Sequence, residues 1–299
     1  MSFVSSVVFK YKFLFDYANY KGQSIYRKIT QKNPAIVSIT GTINHIINHR
    51  VSVSRFGEGE IRLTNNESIE FQTFDPELAI KLNSILSCNH QDILVCIPDI
   101  FSGLKDYTNS TKYFWRNHLR IYNKTWLNLL VLNKQYYNAL ITRPFFCFTD
   151  KSASKLIFQK IKGIWFKKDI VIIEGEQSRL GIGNDLFNGA NSLQRIICPA
   201  KNAFSVYEEI LAEVKKIPQS KMILIALGPT ATVLAFDLHL LGYQAIDIGH
   251  IDIEYEWFLM NAVTKIKIPS KYTNEALGGD MPDDLYDPAY ESQIIQRIL

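Results

Sequence analysis

One stretch of the sequence, residues 222–257, restricts the fold more than any other. It begins with an apolar run rich in Ile and Leu and continues past Gly228 with apolar residues at helical spacing. A second apolar run follows at residues 244–248, before a polar turn. A strand, a helix and a second strand joined by short connections form a βαβ unit whose strands run parallel. The sequence therefore predicts an α/β fold with a mostly parallel sheet.

Two polar turns follow the two strands of this unit. The first offers backbone N–H groups and hydroxyls at a helix N-terminus, and it reads Gly228-Pro229-Thr230-Ala231-Thr232. Either threonine is expected to cap the helix. The second turn carries His250, Asp252 and Glu254. Ligands of parallel sheets bind beyond the carboxyl ends of the strands, where both turns are expected to lie. The first turn can bind an anion, and the carboxylates of the second are oxygen ligands suited to a metal ion. Together they predict a site for a metal-bound phosphate ester.

Two more strand-like runs end in loops rich in charge and glycine. One run is followed by residues 55–60, where Arg55 is a cation suited to a diphosphate and Glu58 and Glu60 are carboxylates beside it. Taken alone, this segment is explained equally well by a hairpin turn with solvated charges. The other ends in a loop with three glycines, three acids and Arg179. Since the carboxyl ends of parallel strands share one edge, four loops are expected to form a single site. These loops are residues 55–60, 174–185, 228–232 and 247–256.

The composition gives little support for a nucleic-acid-binding protein. The 299 residues include 33 basic and 29 acidic side chains, which leaves a net charge of +4, and these charges are interspersed. A hydrophobic share of 47% is ordinary for a globular protein with a sizeable core. Four cysteines lie far apart without a CxxC pair, so buried free thiols in a reducing cytoplasm explain them better than disulfides or zinc. They are Cys88, Cys96, Cys147 and Cys198.

The N-terminal 17 residues are apolar and aromatic but carry three charged side chains. Their uncharged stretch is too short to span a membrane, and a small-residue cleavage site is missing. An edge strand, a packed helix and a weak membrane-surface anchor are the alternatives, and we favour packing against the body. The chain is predicted to be cytoplasmic, with peripheral contact at the inner membrane face left open. Its predicted parts are an N-terminal segment, a main domain and a tail: residues 1–50, 51–275 and 276–299.

Capping residues and periodicity predict further elements. A helix is expected over residues 38–49, and another starts with Asp75 as its N-cap. Asn202 is expected to cap a helix over residues 203–216. Toward the C-terminus we expect a helix as far as Val263, a strand over residues 265–268 and a short helix from Tyr290. Four aromatic residues could line a sugar site, although helix packing explains each of them better: Trp115, Trp126, Tyr136 and Tyr137.

Five motifs together resemble the bacterial glycosyltransferases of GT-D fold. They read RFGEGE, EGEQSRLGIGNDLF, RIICPAKNAF, LGPTATVLAFDL and GHIDIEYEW, and they extend from about Ser54 to Glu275. The resemblance implies a Rossmann-like domain with helices on both faces of the sheet, a UDP-sugar donor such as UDP-glucose, and Mn²⁺ or Mg²⁺ at a DXE motif, here Asp252-Ile253-Glu254. The family motif usually reads RFGDGE, so Glu58 stands where the family has Asp, which leaves a metal or base role for Glu58 open.

The predicted reaction is a metal-dependent hexosyl transfer with inversion. Asp252 and Glu254 are the predicted metal ligands, provided that the turn before the helix is extended, because residues two apart diverge on a helix. Glu58, Glu60 and Asp185 are candidates for the base that deprotonates the acceptor. The residues expected to bind the donor are Arg55, Phe56, Gly57, Arg179, Gly183, Asn184, Gly228, Pro229, Thr230, Thr232, Asp247 and His250.

Two other functions remain open at this stage. The protein could be a non-catalytic nucleotide-sugar-binding subunit of a glycan assembly complex, although a pure scaffold has no need of these carboxylates. A metal-dependent phosphohydrolase is a weaker alternative. The expected partners are a UDP-sugar and a glycan or glycoprotein acceptor, without nucleic acid. Contact with the membrane or with a glycosyltransferase complex, and a homo-oligomer, are left open.

Overall fold

A nine-stranded parallel sheet forms the centre of the molecule in the computed structural model, which describes residue 22, residues 33–131 and residues 133–299. The strands are β1 (Ala35–Ile36), β2 (Ser52–Arg55), β3 (Ile93–Ile97), β4 (Gln135–Asn138), β5 (Asp169–Gly175), β6 (Ser192–Cys198), β7 (Met222–Ala226), β8 (Gln244–Asp247) and β9 (Ile294–Arg297). Their order across the sheet is β1-β4-β3-β2-β8-β7-β5-β6-β9. The predicted α/β class with a parallel sheet is confirmed, while the predictions for residues 1–17 lie outside the described residues.

The helices cover both faces of the sheet. They are α1 (Ile39–Asn48), α2 (Glu58–Thr64), α3 (Pro76–Ser87), α4 (Asn109–Leu129), α5 (Ser154–Lys162), α6 (Tyr207–Val214), α7 (Pro229–Leu240), α8 (Ile251–Leu259) and α9 (Pro288–Gln293), with short 3₁₀ helices at Ala139–Thr142 and Ala203–Val206. Alternate side chains of the strands point to opposite faces and enter two apolar cores. One core contains α2, α3, α4, α6 and α7, and the other contains α1, α5 and α8.

Local sequence signals account for several helix starts. The Ser38 hydroxyl accepts a hydrogen bond from Gly41 N at the start of α1. The Asp75 carboxylate accepts from two backbone N–H groups at the start of α3, which confirms the predicted N-cap. Residues 55–60 form a strand end followed by α2 and not a hairpin. Within the described residues, the structure shows no helix with the length and apolarity that a membrane crossing requires.

Four local predictions are wrong. Gly228, with φ of 54°, is the N-cap of α7, because both threonines lie inside its first turn. Asn202 makes no side-chain cap, and its side chain accepts a hydrogen bond from Thr73 N, while the helix it precedes begins as a 3₁₀ turn. The helix α8 ends at Leu259 and not near Val263. Residues 265–268 form no regular strand, and the last strand is β9, directly after the short α9.

The sheet consists of two halves that meet between β2 and β8. The strands β1 to β4 make one half, and β5 to β9 make the other. One registered residue pair, Val53 with Ile246, joins β2 to β8. The strands β1 and β9 lie outside residues 51–275, so the sheet extends beyond the predicted main domain at both ends. The carboxyl ends of the strands all point to one edge, where the polar loops gather.

Candidate active site

A cavity of about 930 Å³ opens at the carboxyl edge of the sheet. Residues at the ends of β2 to β8 or soon after them line it, including Arg55, Pro98, Arg143, Gly175, Pro199, Gly228 and His250. Each of the four loops singled out in the sequence contributes to this lining. The cavity therefore occupies the place where open parallel sheets bind their ligands.

An ion pair crosses the floor of the cavity between the two halves of the sheet. The Arg55 Nη2 lies 2.9 Å from Asp247 Oδ1, and the Arg55 Nε donates to the Asp247 carbonyl at 2.9 Å. A third donor, Nη1, reaches the hydroxyl of Thr142 at 2.8 Å. Gly249, with φ of 44°, makes room for this arrangement, because a Cβ there would lie 1.9 Å from Arg55 Nη2. Arg55 is thus held by protein groups, and its first role is to join β2 to β8.

Glu60 is the carboxylate whose environment best suits a base. It lies in the first turn of α2, lines the cavity and accepts a hydrogen bond from Gly57 N at 2.7 Å. Burial, with a smaller contribution from the nearby charge of Asp247, raises the pKa of Glu60 to about 7, although the hydrogen bonds from the backbone and the charge of Arg55 oppose this effect. A carboxylate with a pKa near the working pH can accept a proton efficiently in general base catalysis.

The other two candidates for the base have different surroundings. Glu58 also lines the cavity, but its carboxylate pairs with Arg62 at 2.9 Å. Asp185 pairs with Lys162 at 2.8 Å and accepts from the Tyr255 hydroxyl at 2.6 Å. Its side chain is 59% exposed, and Asp185 is not part of the cavity lining. Of the three predicted candidates, the structure therefore favours Glu60.

The turn that begins α7 contributes backbone to the cavity but not hydroxyls. Gly228 lines the cavity, whereas Pro229, Thr230 and Thr232 do not and are buried. The Thr232 hydroxyl donates to the Arg55 carbonyl at 2.8 Å, so it connects α7 to the end of β2. The two hydroxyls predicted to bind the donor phosphates thus have protein partners, while Phe56 and Gly57 line the cavity.

The two carboxylates of the DXE motif point in different directions, because both lie inside α8. Asp252 lines the cavity with little exposure: its Oδ1 accepts from Gly181 N and from Asn184 Nδ2, both at 2.8 Å, and its Oδ2 pairs with Lys271 at 2.6 Å. The Glu254 Oε1 accepts from the backbone N–H groups of Phe145 and Phe146, and its Oε2 is buried without a hydrogen-bond partner among the described residues.

This arrangement does not fit a metal ion shared by Asp252 and Glu254. The Lys271 ammonium already lies between Asp252 and Glu256, 2.6 Å and 2.7 Å from their oxygens, and it is almost fully buried. Among the residues that the structure describes, no cluster of three His, Cys, Asp or Glu side chains could hold a metal. The condition of an extended turn before the helix is not met, since Asp252 lies in the first turn of α8.

A model of the glycosyltransferase GT-D fold family matches residues 53–276 of the chain. The chain belongs to the GT-D glycosyltransferase family. Two solved structures support the assignment. One is a domain of unknown function 1792, described as a distinct glycosyltransferase fold, with 40% identity, a TM-score of 0.87, and coverage of 95% of this chain and 99% of that chain. The other, a glycosyltransferase (DUF1792) from Streptococcus sanguinis, has 41% identity, a TM-score of 0.86, and coverage of 89% and 100%.

Two curated relatives are much longer than this GT-D chain. Glycosyltransferase GlyD of Streptococcus pneumoniae serotype 4 (strain ATCC BAA-334 / TIGR4) is 40% identical over 279 residues, which are 92% of this chain and 34% of that protein. The probable glycosyl transferase Gly of Streptococcus gordonii is 39% identical over 269 residues, which are 90% of this chain and 39% of that protein. The chain thus spans between a third and two fifths of these relatives.

The 174–185 loop of this GT-D protein mainly supports α8. Asn184 Nδ2 donates to Asp252 and, at 2.6 Å, to Glu256, while Arg179 points away from the cavity and donates to the carbonyls of Ser270 and Asp283. Arg179, Gly183 and Asn184, three predicted donor-binding residues, are absent from the cavity lining, to which the loop contributes Gly175, Ser178 and Leu180. A sequence pattern shows that a loop is polar but not which way its side chains point.

The predicted site residues include none of three side chains that the structure places in the cavity lining: Arg143, Lys265 and Glu275. All three line the cavity next to His250, and Glu275 pairs with both basic residues. Burial lowers the pKa of His250 to about 4, an effect that Glu275 opposes and Arg143 reinforces, so the imidazole is neutral at pH 7. The position of Arg143 between an apolar run and Pro144 was the one available signal, whereas the irregular segment that carries the other two gave none.

Packing explains most of the predicted sugar-site aromatics. Trp126 and Tyr136 are fully buried in the core, and Tyr137 does not line the cavity. Trp115 does line it, together with a neighbour that the sequence did not single out, Phe114, which is 47% exposed. An exposed aromatic ring at a cavity mouth can stack on a sugar, so this face of α4 is the candidate for acceptor contact.

Proposed function

We propose that this protein transfers a hexose, with glucose as the first candidate, from a UDP-sugar to a hydroxyl of a glycan or glycoprotein. Family membership supports glycosyl transfer, and the motif resemblance supports the UDP-sugar. The observation that carries the proposal is the environment of Glu60. Among the described acids that line the cavity, Glu58, Asp247, Asp252 and Glu275 each pair with a basic side chain, and Glu60 does not.

Glu60 accepts the proton of the acceptor hydroxyl in the proposed reaction. The acceptor oxygen attacks the anomeric carbon as the bond to UDP breaks, so negative charge grows on the leaving diphosphate. Because no second unpaired carboxylate lines the described part of the cavity, a covalent glycosyl intermediate has no candidate nucleophile there. We therefore propose a single displacement with inversion at the anomeric carbon.

A bound divalent metal would neutralise the negative charge that grows on the leaving diphosphate. Since Asp252 and Glu254 diverge and each already accepts hydrogen bonds, we assign neither residue to a metal. The role proposed for Asp252 is to hold the N-terminus of α8 against the 174–185 loop and Lys271. His250 precedes α8 and lines the cavity as a neutral side chain.

The test is UDP release from UDP-glucose with glycan acceptors, measured for the wild type, Glu60→Gln and the neighbouring control Glu58→Gln. Loss of a general base lowers kcat by about 10²- to 10⁴-fold, so we expect that loss for Glu60→Gln and a change of only a few fold for Glu58→Gln. Wild-type turnover by Glu60→Gln would overturn the assignment of the base. Parallel reactions with Mn²⁺, Mg²⁺ and EDTA test the metal separately.

The same measurements distinguish the other two functions. UDP binding in calorimetry without consumption of any UDP-sugar would favour a non-catalytic subunit of a glycan assembly complex. Release of inorganic phosphate without an acceptor would favour a phosphohydrolase.

A further inference from the structure

Four ionisable side chains meet at one side of the cavity. Arg143 binds Glu275 through its two terminal guanidinium nitrogens, Nη1 and Nη2, with Nη1 3.0 Å from Oε2. Lys265 contacts the same carboxylate. His250 Nδ1 lies 3.7 Å from Glu275 Oε1. All four residues line the cavity, and the Glu275 side chain is 17% exposed. The planar fork of an arginine fits a phosphate as well as it fits a carboxylate.

The acid of this cluster comes from a different part of the fold than the arginine. Arg143 follows the 3₁₀ helix after β4, and it is therefore fixed to the sheet edge. Glu275 lies in an irregular segment, residues 264–280, which we call the strap. The buried Lys271 anchors the strap to α8, and beyond this anchor Asn274 Nδ2 lies 3.5 Å from a carboxylate oxygen of Glu70 on the α2–α3 connection. The strap therefore places one carboxylate inside the cavity.

Few other cations are available to an anionic ligand. Among the described residues, the basic side chains in the cavity lining are Arg55, Arg143, Lys151 and Lys265. Arg55 is committed to Asp247 on the cavity floor, and Lys151 lies over the ring of Phe145 at 3.9 Å. Without Glu275, the Arg143 and Lys265 charges would face the cavity together. A diphosphate carries at least two negative charges, so it can compete with a single carboxylate for this pair.

We propose that Arg143 and Lys265 form the diphosphate subsite of the nucleotide donor, and that Glu275 occupies this subsite until the diphosphate displaces it. The inference rests on the proposed use of a nucleotide diphosphate donor. It moves the diphosphate away from Arg55 and the threonines of α7, whose polar groups already have protein partners. The strap acts as an internal competitor, since its carboxylate must leave the two cations before the donor can bind.

The test is calorimetric binding of UDP, uridine and inorganic pyrophosphate to the wild type and to Glu275→Gln, Lys265→Gln and Arg143→Gln. We expect Glu275→Gln to bind UDP and pyrophosphate several-fold more tightly, because the competitor has lost its charge. We expect Arg143→Gln to bind both about tenfold more weakly or worse, and Lys265→Gln to bind both more weakly. Uridine binding should be unchanged. The matched control is Glu291→Gln, which breaks the exposed pair with Arg297 and should leave all affinities unchanged.

The outcomes separate this inference from the proposed function. If the wild type binds UDP and turns over a UDP-sugar while Glu275→Gln and Lys265→Gln bind UDP like the wild type, the subsite assignment is overturned and the function stands. Lys265 is 40% exposed, so its variant remains informative if Arg143→Gln fails to fold. If UDP does not bind but pyrophosphate binds in an Arg143-dependent manner, the anion subsite stands and the UDP-sugar donor is wrong.

Discussion

At the scale of single residues, the site depends on carboxylates that differ in their partners. Asp247 has a guanidinium beside it, and burial raises its pKa while Arg55 opposes that effect. Glu60 sits close by without an ion pair among the described residues, and its pKa is raised to about 7. The surroundings thus give Asp247 a structural role and support the chemical role that we propose for Glu60.

The pKa of Glu60 predicts opposite effects of Glu60→Gln on activity and stability. A folded-state pKa raised from 4.5 to about 7 contributes stability below pH 4.5, and this contribution is lost as the pH rises through 7. Glutamine does not ionise, so Glu60→Gln should melt at a higher temperature than the wild type at pH 8, and the difference should vanish near pH 4.5. Wild-type kcat/KM should rise through pH 7 as Glu60 loses its proton. A flat profile between pH 6 and pH 8, or equal melting temperatures at pH 8, would contradict this.

At the scale of elements, α8 is held by a buried ion network. Lys271 lies between Asp252 and Glu256 and is 1% exposed, and Asn184 bridges the same two acids. The network fixes the N-terminus of α8, and His250, the residue directly before this helix, lines the cavity. It also anchors the strap, because Lys271 belongs to that segment. Loss of the lysine charge would leave two buried carboxylates without their cation.

We therefore expect Lys271→Met to be strongly destabilising. Removal of one partner of a buried ion pair costs about 3–5 kcal/mol, so the urea midpoint of Lys271→Met should fall well below that of the wild type. The control is Lys267→Met, which removes a lysine from the exposed pair with Asp283, where we expect a change of about 1 kcal/mol or less. Similar urea midpoints for the two variants would show that the buried network is not needed for stability.

At the scale of the whole molecule, the sequence predicted the sheet and its edge better than it predicted the side chains. Buried parallel strands are continuous apolar runs, so the sequence located β5, β7 and β8. The partner of a polar side chain could not be predicted, because the two residues can lie far apart in the chain. Arg55 and Asp247, for example, are 192 positions apart. Residues 265–268 of the strap alternate like a strand but form no regular strand, and nothing in the sequence connects the strap to the cavity, so Lys265 and Glu275 were missed.

The C-terminal strand provides a test of the nine-stranded sheet. The strand β9 pairs with β6. The Gln293 side chain, just before β9, accepts a hydrogen bond from Arg195 at 2.8 Å, and Arg195 also forms a buried ion pair with Glu174 at 2.5 Å. Deletion of residues 288–299 would remove β9 and the buried side chains of Tyr290 and Ile298, so we expect a loss of about 3 kcal/mol or more in urea denaturation. Deletion of the exposed Leu299 alone is the control and should have little effect. An unchanged midpoint for the longer deletion would mean that the sheet does not depend on β9.

The division of the sheet between β2 and β8 has a consequence for biosynthesis. Glu60 belongs to the half of the sheet that is translated earlier, whereas Asp247, which helps to raise the pKa of Glu60, belongs to the half that is translated later. A nascent chain that ends before β8 can contain Glu60 but lacks the Asp247 partner of Arg55. Such a chain has no complete cavity floor, so we expect truncated translation products to be inactive in the proposed reaction.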